Sequence, residues 1–423
     1  MSKHQQGIDY AKQQDHEDVL SSYRNQFHIP KGKNGNELIY FCGNSLGLQP
    51  KSTKSYINQE LTDWANLGVE GHTDAKNPWL PYHEFLTEAT AKLVGAKPIE
   101  VVTMNSLTAN LHFMMASFYR PTKERYKIVI ESDAFPSDKY AVESQLRHHG
   151  FNDSEGLIFW KPRDDEELLR YEDLETILEL QGNEIALVMI GGVNYYTGQF
   201  FNLKRISKLG HKFGCMVGFD CAHGAGNVNL DLHNSGADFA VWCTYKYLNA
   251  GPGSLSGCFI HERHAYNKSL NRFTGWWSHN KDTRFNMRHE FDCIPGAEGW
   301  QLSNPPILSM AAIKASLDIF NTIGLDQLID KSRALTGYLE FLLNQLGENT
   351  IRIITPANPD SRGCQLSIQV LNANKTLHEK LTKAGVVTDW REPDVIRCAP
   401  VPLYNSFTDV YWMVKKMKAI LNE

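Results

Sequence analysis

The 423-residue sequence is short of charge imbalance, paired cysteines and long apolar runs, and each shortage excludes a class of protein. Lys and Arg number 43 against 48 Asp and Glu, a net charge of −5. That excludes a dedicated nucleic-acid binder, which shows a strong basic excess. No apolar run approaches the roughly 18 residues needed to span a bilayer. The stretch Met1 to His28 is polar and lacks the apolar centre of a signal peptide. A soluble, cytoplasmic protein without a membrane partner is expected. The eight cysteines (Cys42, Cys215, Cys221, Cys243, Cys258, Cys293, Cys364 and Cys398) contain no CxxC pair, and are expected as reduced thiols, mostly buried. The 16 histidines show no HExxH or HxxEH spacing, so no metal is assigned. GxGxxG and GxxxxGK[ST] are also missing, which removes the Rossmann and P-loop readings.

What is present suits a globular enzyme. With 42% hydrophobic and 22% charged residues the chain can bury a sizeable core, and its length suggests roughly two to three domains. After a polar arm, Lys51–Leu67 and Pro81–Val94 have helical periodicity. From about residue 100 strands alternate with helices. Strands are expected at Lys127–Glu131, Ile185–Ile190, Met216–Phe219 and Phe239–Cys243, and helices at Ser137–His148, Asp164–Leu180 and Lys204–Phe213. The near-continuous apolar run Ile185–Ile190 fits a parallel strand buried on both faces. The pattern predicts an α/β fold with right-handed crossovers. Beyond Pro305-Pro306, long helices (Ile307–Ile323, Leu325–Leu346) and strands at Ile351–Ile354, Cys364–Val370 and Val395–Ala399 predict a smaller α+β unit. The expected division is an arm and helices over 1–70 contributing to the small domain, a large α/β domain over 71–304 and a small C-terminal domain over 305–423.

Ligands collect at the C-terminal ends of strands in open α/β sheets. Polar residues just past the expected strands are Phe135-Pro136-Ser137-Asp138, then Asp220 with His223, then Thr244-Tyr245-Lys246. The helix start at Asn105-Ser106-Leu107-Thr108 offers hydroxyls and backbone N–H groups to an anion. Singly, Asp220 reads as a cap, Lys246 as a surface charge, Phe135 as core and Thr108 as a cap. Together they match one cofactor. A carboxylate for a pyridinium nitrogen stands 26 residues before an amine able to form a Schiff base, with an aromatic to stack and a helix N-terminus for a phosphate. These are the needs of pyridoxal phosphate.

The chain resembles the kynureninases, pyridoxal-phosphate hydrolases of the aspartate aminotransferase fold. The matching segments are 41–50 (FCGNSLGLQP), 134–138 (AFPSD), 195–199 (YYTGQ), 218–223 (GFDCAH), 245–251 (YKYLNAG), 303–307 (SNPPI) and 399–405 (APVPLYN), and the likeness runs from about residue 40 to 412. The resemblance implies fold type I: a large domain with a mostly parallel seven-stranded sheet plus a smaller α+β domain. It also implies pyridoxal 5'-phosphate as cofactor and a homodimer with shared active sites. The implied reaction is hydrolysis of the Cβ–Cγ bond of kynurenine or 3-hydroxykynurenine to anthranilate or 3-hydroxyanthranilate plus L-alanine, in tryptophan degradation or NAD biosynthesis. By the same resemblance Lys246 carries the cofactor, Asp220 keeps its pyridine nitrogen protonated and Phe135 stacks on its ring. Pro136, Ser137, Asp138 and His223 line it, Leu107, Thr108 and Tyr245 meet the phosphate, and Tyr245 also moves protons. Trp276 and Asn304 match cofactor or substrate positions supplied partly by the second subunit. Arg397 grips the substrate α-carboxylate, and Ser45, His72, Ser303 and Asn304 fall at the substrate side, with His72, Ser303 and Asn304 resembling the set of 3-hydroxykynurenine-preferring members. One departure stands out: Gly191 takes the place where a Ser or Thr is expected to contact the cofactor.

Two rival classes make different demands. Another enzyme of this fold would need its own side chains; a cysteine desulfurase needs an exposed thiol on a loop, for which Cys364 is the loose candidate. A non-catalytic binding module would be favoured by a missing lysine or an appended DNA-binding helix pair, and neither is visible.

Overall fold

The computed structural model describes residues 4–287, 289–347, 349–371 and 374–422. Its main sheet has seven strands: β1 (Val101–Met104), β2 (Lys127–Glu131), β3 (Leu157–Trp160), β4 (Ile185–Gly191), β5 (Met216–Asp220), β6 (Phe239–Cys243) and β7 (Ser256–Ile260). They lie in the order β1-β7-β6-β5-β4-β2-β3. Pairings from β6 through to β3 are parallel, and β7 runs against both of its neighbours. A fold type I sheet, mostly parallel and seven-stranded, is therefore present.

Strand β4 lies inside the sheet, between β5 and β2, and its composition explains its place. Every residue from Ile185 to Ile190 is buried, because a hydrophobic core lies on each face of the sheet. Ile185, Val188 and Ile190 join one core, Ala186, Leu187 and Met189 the other. The alternation breaks at Ala186–Leu187 because the register to β2 slips there, from Lys127↔Ile185 to Ile128↔Leu187, as a bulge requires. Each such fully buried aliphatic side chain contributes roughly 1.5–3 kcal/mol. The four-residue strands β1 and β3 and the strand β7 carried no clear sequence signal, being too short to establish a period.

Helix Asp164–Leu180 is corrected to Tyr171–Gln181. The backbone of Leu169 is held outside the helix by Gln199, whose amide both accepts from its N–H (3.0 Å) and donates to its carbonyl (2.9 Å). Thus Leu168 and Leu169 are apolar for loop packing, not for a helical stripe.

Strands β8 (Ile351–Ile353), β9 (Leu366–Val370), β10 (Asp389–Arg391) and β11 (Val395–Cys398) form an antiparallel sheet in the order β10-β11-β9-β8. It shares a separate core with Leu335, Leu339, Val410 and Met413, joined by Ala11 and Phe41 from the N-terminal arm. The carboxylate of Asp15 on helix Ile8–Glu17 accepts from the N–H groups of Phe407 and Thr408, tying the arm to the start of the last helix. Helices Thr53–Leu67 and Ile307–Ile323, grouped by sequence with the small unit, pack against each other, and Ile307–Ile323 buries Met310, Ile313 and Leu317 in a core of the large sheet. Among the described residues no single helix is long and apolar enough to cross a membrane.

Candidate active site

Parallel pairing brings the C-terminal ends of β2, β4, β5 and β6 side by side, and the residues there line one cavity: Glu131, Phe135, Asp138, Gly191, Val193, Tyr195, Asp220, Ala222, His223 and Lys246. Lys246 sits in a tight turn after β6. The N–H of Asn249 donates to the Lys246 carbonyl (3.0 Å) and that of Ala250 to Thr244 (3.1 Å), while Gly47 of the N-terminal segment donates to Tyr245 (2.8 Å). Gly47 has to be glycine: a Cβ there would lie 2.9 Å from Asn249 Cα and closer still to the Lys246 carbonyl. The Lys246 ammonium stands 5.8 Å from the centre of the Phe135 ring, and Tyr195 meets the same ring edge-on at 5.3 Å.

Three carboxyl groups face this single ammonium. Burial pushes the Asp138 carboxyl well above its ordinary range, with the charge of Asp220 adding to it. Asp220 is raised by burial and opposed by Lys246. The Asp220 Oδ1 atom accepts from the Ala222 N–H at 2.7 Å, whereas Asp138 Oδ1 has no partner; the charge therefore settles on Asp220 and the proton on Asp138. Glu131 is pushed up to about 7, first by burial, against hydrogen bonds from its own and Gly191's backbone N–H. His223 is driven well below its ordinary value by burial and then by Lys246, so its imidazole is neutral.

Near the cavity two helices begin, Leu107–Phe118 and Pro136–His148, and neither start carries a side-chain cap hydrogen bond. Their first turns are joined by Thr108 Oγ1 and Ser137 Oγ at 3.0 Å, which makes a paired site for an anion. Asn105, in the left-handed region at φ 47°, turns the chain from β1 into the first of them. Tyr245 is half-buried, and its hydroxyl is pushed up by burial and by Cys243.

These residues fit pyridoxal phosphate. Asp138 Oδ1 and His223 Nδ1 are buried without hydrogen-bond partners, the state expected of polar atoms that a ligand completes. An ionised Asp220, an aromatic face, an amine and two helix N-termini supply one partner each for a pyridine nitrogen, a ring, an aldehyde and a phosphate.

Arg397 lies one layer away, on β11, 1% exposed. It pairs across the strands with Asp389, forms an ion pair with it and donates to the Tyr195 carbonyl at 2.7 Å. Its guanidinium stands 5.7 Å from the centre of the Tyr195 ring, and Arg391, also paired with Asp389, stands at 5.8 Å. Burial lowers Arg397 to about 10, so it is charged at neutral pH, and its Nε has no partner. Ser45 is exposed beside the buried Asn44, whose amide reaches Gln365 at 2.9 Å.

Other expected residues are not gathered by this chain. Trp276, Ser303 and Asn304 are exposed and do not line the cavity. His72 Nδ1 meets the Val69 carbonyl at 2.9 Å and its ring meets Trp79 edge-on. Cys364, the loose desulfurase candidate, is buried, its N–H held by Asn227 (2.9 Å) and its thiol pushed by burial to about 12. It is no exposed nucleophile. Sequence reading missed Glu131, Asp389 and Arg391. Glu131 was legible as the last residue of an expected strand but was counted as part of the strand; the two others had no signal before β10 and β11 were paired.

In fold, the chain is similar to the apo cysteine desulfurase of Thermococcus onnurineus NA1 (TM-score 0.77, 17% identity, 100% of both chains) and to the cysteine desulfurase CsdA of Escherichia coli (TM-score 0.76, 17% identity, 95% of this chain and 98% of that one). Fold and site together define a fold type I pyridoxal-phosphate enzyme. In sequence, the chain is 56% identical to the kynureninase of Myxococcus xanthus (strain DK1622) over 98% of its length and 97% of that protein's. It is 54% identical to that of Koribacter versatilis (98% and 97%) and 47% identical to that of Nematostella vectensis (97% and 93%). The family model described as kynureninase C-terminal domain matches residues 328–417. The chain belongs to the kynureninases, hydrolases acting on a carbon–carbon bond of a ketonic substrate, with pyridoxal phosphate as cofactor.

Proposed function

We propose that this kynureninase works through Lys246, Asp220 and Tyr245, prefers 3-hydroxykynurenine, and is a cytoplasmic homodimer with shared active sites. The observation that carries the assignment of roles is the convergence of Lys246, Asp220, Asp138 and His223 on one cavity under Phe135. When bound there, pyridoxal phosphate supplies an electron sink conjugated to the substrate α-carbon. Lys246 Nζ would hold the cofactor aldehyde, and the same amine would take the substrate Cα proton. The Asp220 carboxylate holds a proton on the pyridine nitrogen. Leu107, Thr108, Ser137 and the two helix starts hold the phosphate, with Tyr245 beside it. Water adds at the γ-carbonyl, collapse of that hydrate breaks the Cβ–Cγ bond and releases the aromatic acid, and the Tyr245 hydroxyl then delivers a proton to the β-carbon freed by that cleavage, giving L-alanine. Purified protein is expected to show a visible cofactor band and to release fluorescent anthranilate from kynurenine; a protein with the band but no aromatic amine product would overturn this reading.

Arg397 is assigned the substrate α-carboxylate, supported by its unpartnered Nε and its fixed ion pair. Arg397→Lys keeps the charge but loses the planar fork. The expected outcome is a fall in kcat/KM of roughly 10²-fold, carried mostly by KM, since charged hydrogen bonds contribute about 1.5–3 kcal/mol each. A fall confined to kcat would remove Arg397 from substrate binding.

The dimer is supported by Trp276, Ser303, Asn304 and His72, which this chain leaves away from its own cavity. Phe273, Trp276, Phe285, Met287 and Phe291 add large exposed apolar side chains in one segment, as an interface between copies would. In a neighbouring site His72 and Asn304 would hydrogen-bond a ring hydroxyl, and a substrate lacking it would leave them unpaired. The expected kcat/KM ratio is about 10-fold in favour of 3-hydroxykynurenine over kynurenine; equal values would remove the preference.

A further inference from the structure

Glu131 is the third carboxyl group of the cavity and has no part in the roles above. It closes β2, is 3% exposed, and both its oxygens accept from the Gly191 N–H, at 3.0 and 3.1 Å. The ladder between β2 and β4 is in register only as far as Val129↔Val188. Beyond that point the strands part, and the Glu131 side chain crosses the gap as a substitute for the next backbone partner. Gly191 leaves room for it: a Cβ at 191 would lie 2.7 Å from Glu131 Oε1.

We propose that Glu131 is a positioning residue of the cofactor pocket: its carboxyl group fills the space left open by Gly191, pins the Gly191 amide at the end of β4, and sets the charge that the bound cofactor meets. This inference rests on the reading of the cavity as the cofactor site. The groups around it are Asp133 on its own loop, Asp138 on helix Pro136–His148, Tyr195 after β4, Asp220 and His223 after β5, and Lys246 after β6. Among the described residues Lys246 is the one cation lining this cavity. Ionised Asp220 and Lys246 offset each other, and Asp138 holds its proton, so the ionisation of Glu131 decides whether the pocket is neutral or negative.

The sign of the effect follows from burial. An acid raised from 4.5 to about 7 on folding adds stability that is fully present below pH 4.5 and is lost as pH rises to about 7. Glu131→Gln keeps an acceptor for the Gly191 N–H and cannot ionise. In the holoenzyme, its melting temperature relative to the parent is expected to rise by a few degrees between pH 5 and pH 8. Above pH 7 the parent's Glu131 charge also stabilises the protonated cofactor. The pH midpoint of the visible cofactor band is therefore expected to fall by roughly one unit in Glu131→Gln, and by a similar amount in Glu131→Ala. A moved midpoint supports the proposal. An unmoved midpoint overturns it, even if the melting difference appears, because Glu131 would then be a buried structural acid and nothing more. If Lys246→Ala keeps its visible band, the site reading itself fails; a band lost there with the Glu131→Gln midpoint unmoved sinks only the Glu131 assignment.

Discussion

Lys246→Ala is expected to abolish turnover, by at least about 10⁴-fold in kcat, because one amine is lost from two roles, covalent attachment and proton transfer. The visible cofactor band is expected to disappear with it. The structure adds a second consequence. Removing the cavity's cation leaves Asp138 and Asp220 without the charge that opposes their burial, so their carboxyl groups rise further and bind protons at higher pH. The variant should therefore fold, and its melting temperature at pH 6 should stay near that of the parent. Anthranilate fluorescence and the absorbance spectrum decide the first point, and calorimetry the second. A variant that retained even a tenth of the parent's turnover would remove Lys246 from the mechanism.

Asp220→Asn is the second large effect. Asparagine retains an oxygen for the Ala222 N–H, which Asp220 binds at 2.7 Å, so the turn after β5 is kept. What is lost is the negative charge proposed to hold a proton on the pyridine nitrogen. An electrostatic group placed against developing charge accounts for roughly 10²–10³ in kcat, and a loss of that size is expected with little change in cofactor content. The carboxyl of Asp138, no longer beside an ionised neighbour, should return toward its ordinary range, since the Asp220 charge ranks after burial among the causes that raise it. A full-rate Asp220→Asn enzyme would mean that the pyridine nitrogen needs no charged partner.

Much of this site was legible from local pattern. Lys127–Glu131 and Phe239–Cys243 were bounded at the observed residues, and of the residues following them Phe135, Asp138 and Lys246 line the cavity. A strand buried on both faces must be apolar almost throughout, so polarity at its end marks the point where the chain leaves the core. Helix Asp164–Leu180 failed for the opposite reason. Its extra leucines fit a helical stripe, but the Gln199 amide, 30 residues away, captured the Leu169 backbone, and no local period encodes a distant side chain.

The amino-acid sequence by itself determined the fold class and the family, because apolar runs, turn residues and ordered motifs are written along the chain. Only the tertiary structure decided the states of the side chains. Cys364 became an inert buried thiol, Arg397 was fastened to Asp389, and His72, Ser303, Asn304 and Trp276 were left outside the cavity of their own chain. Glu131 and Gly191, 60 residues apart, became one unit. Ionisation depends on burial and on charges brought in from distant segments, and those exist only once the strands have paired. The near-balance of charge over the whole chain says nothing of this, since the cavity sets three carboxyl groups against one ammonium.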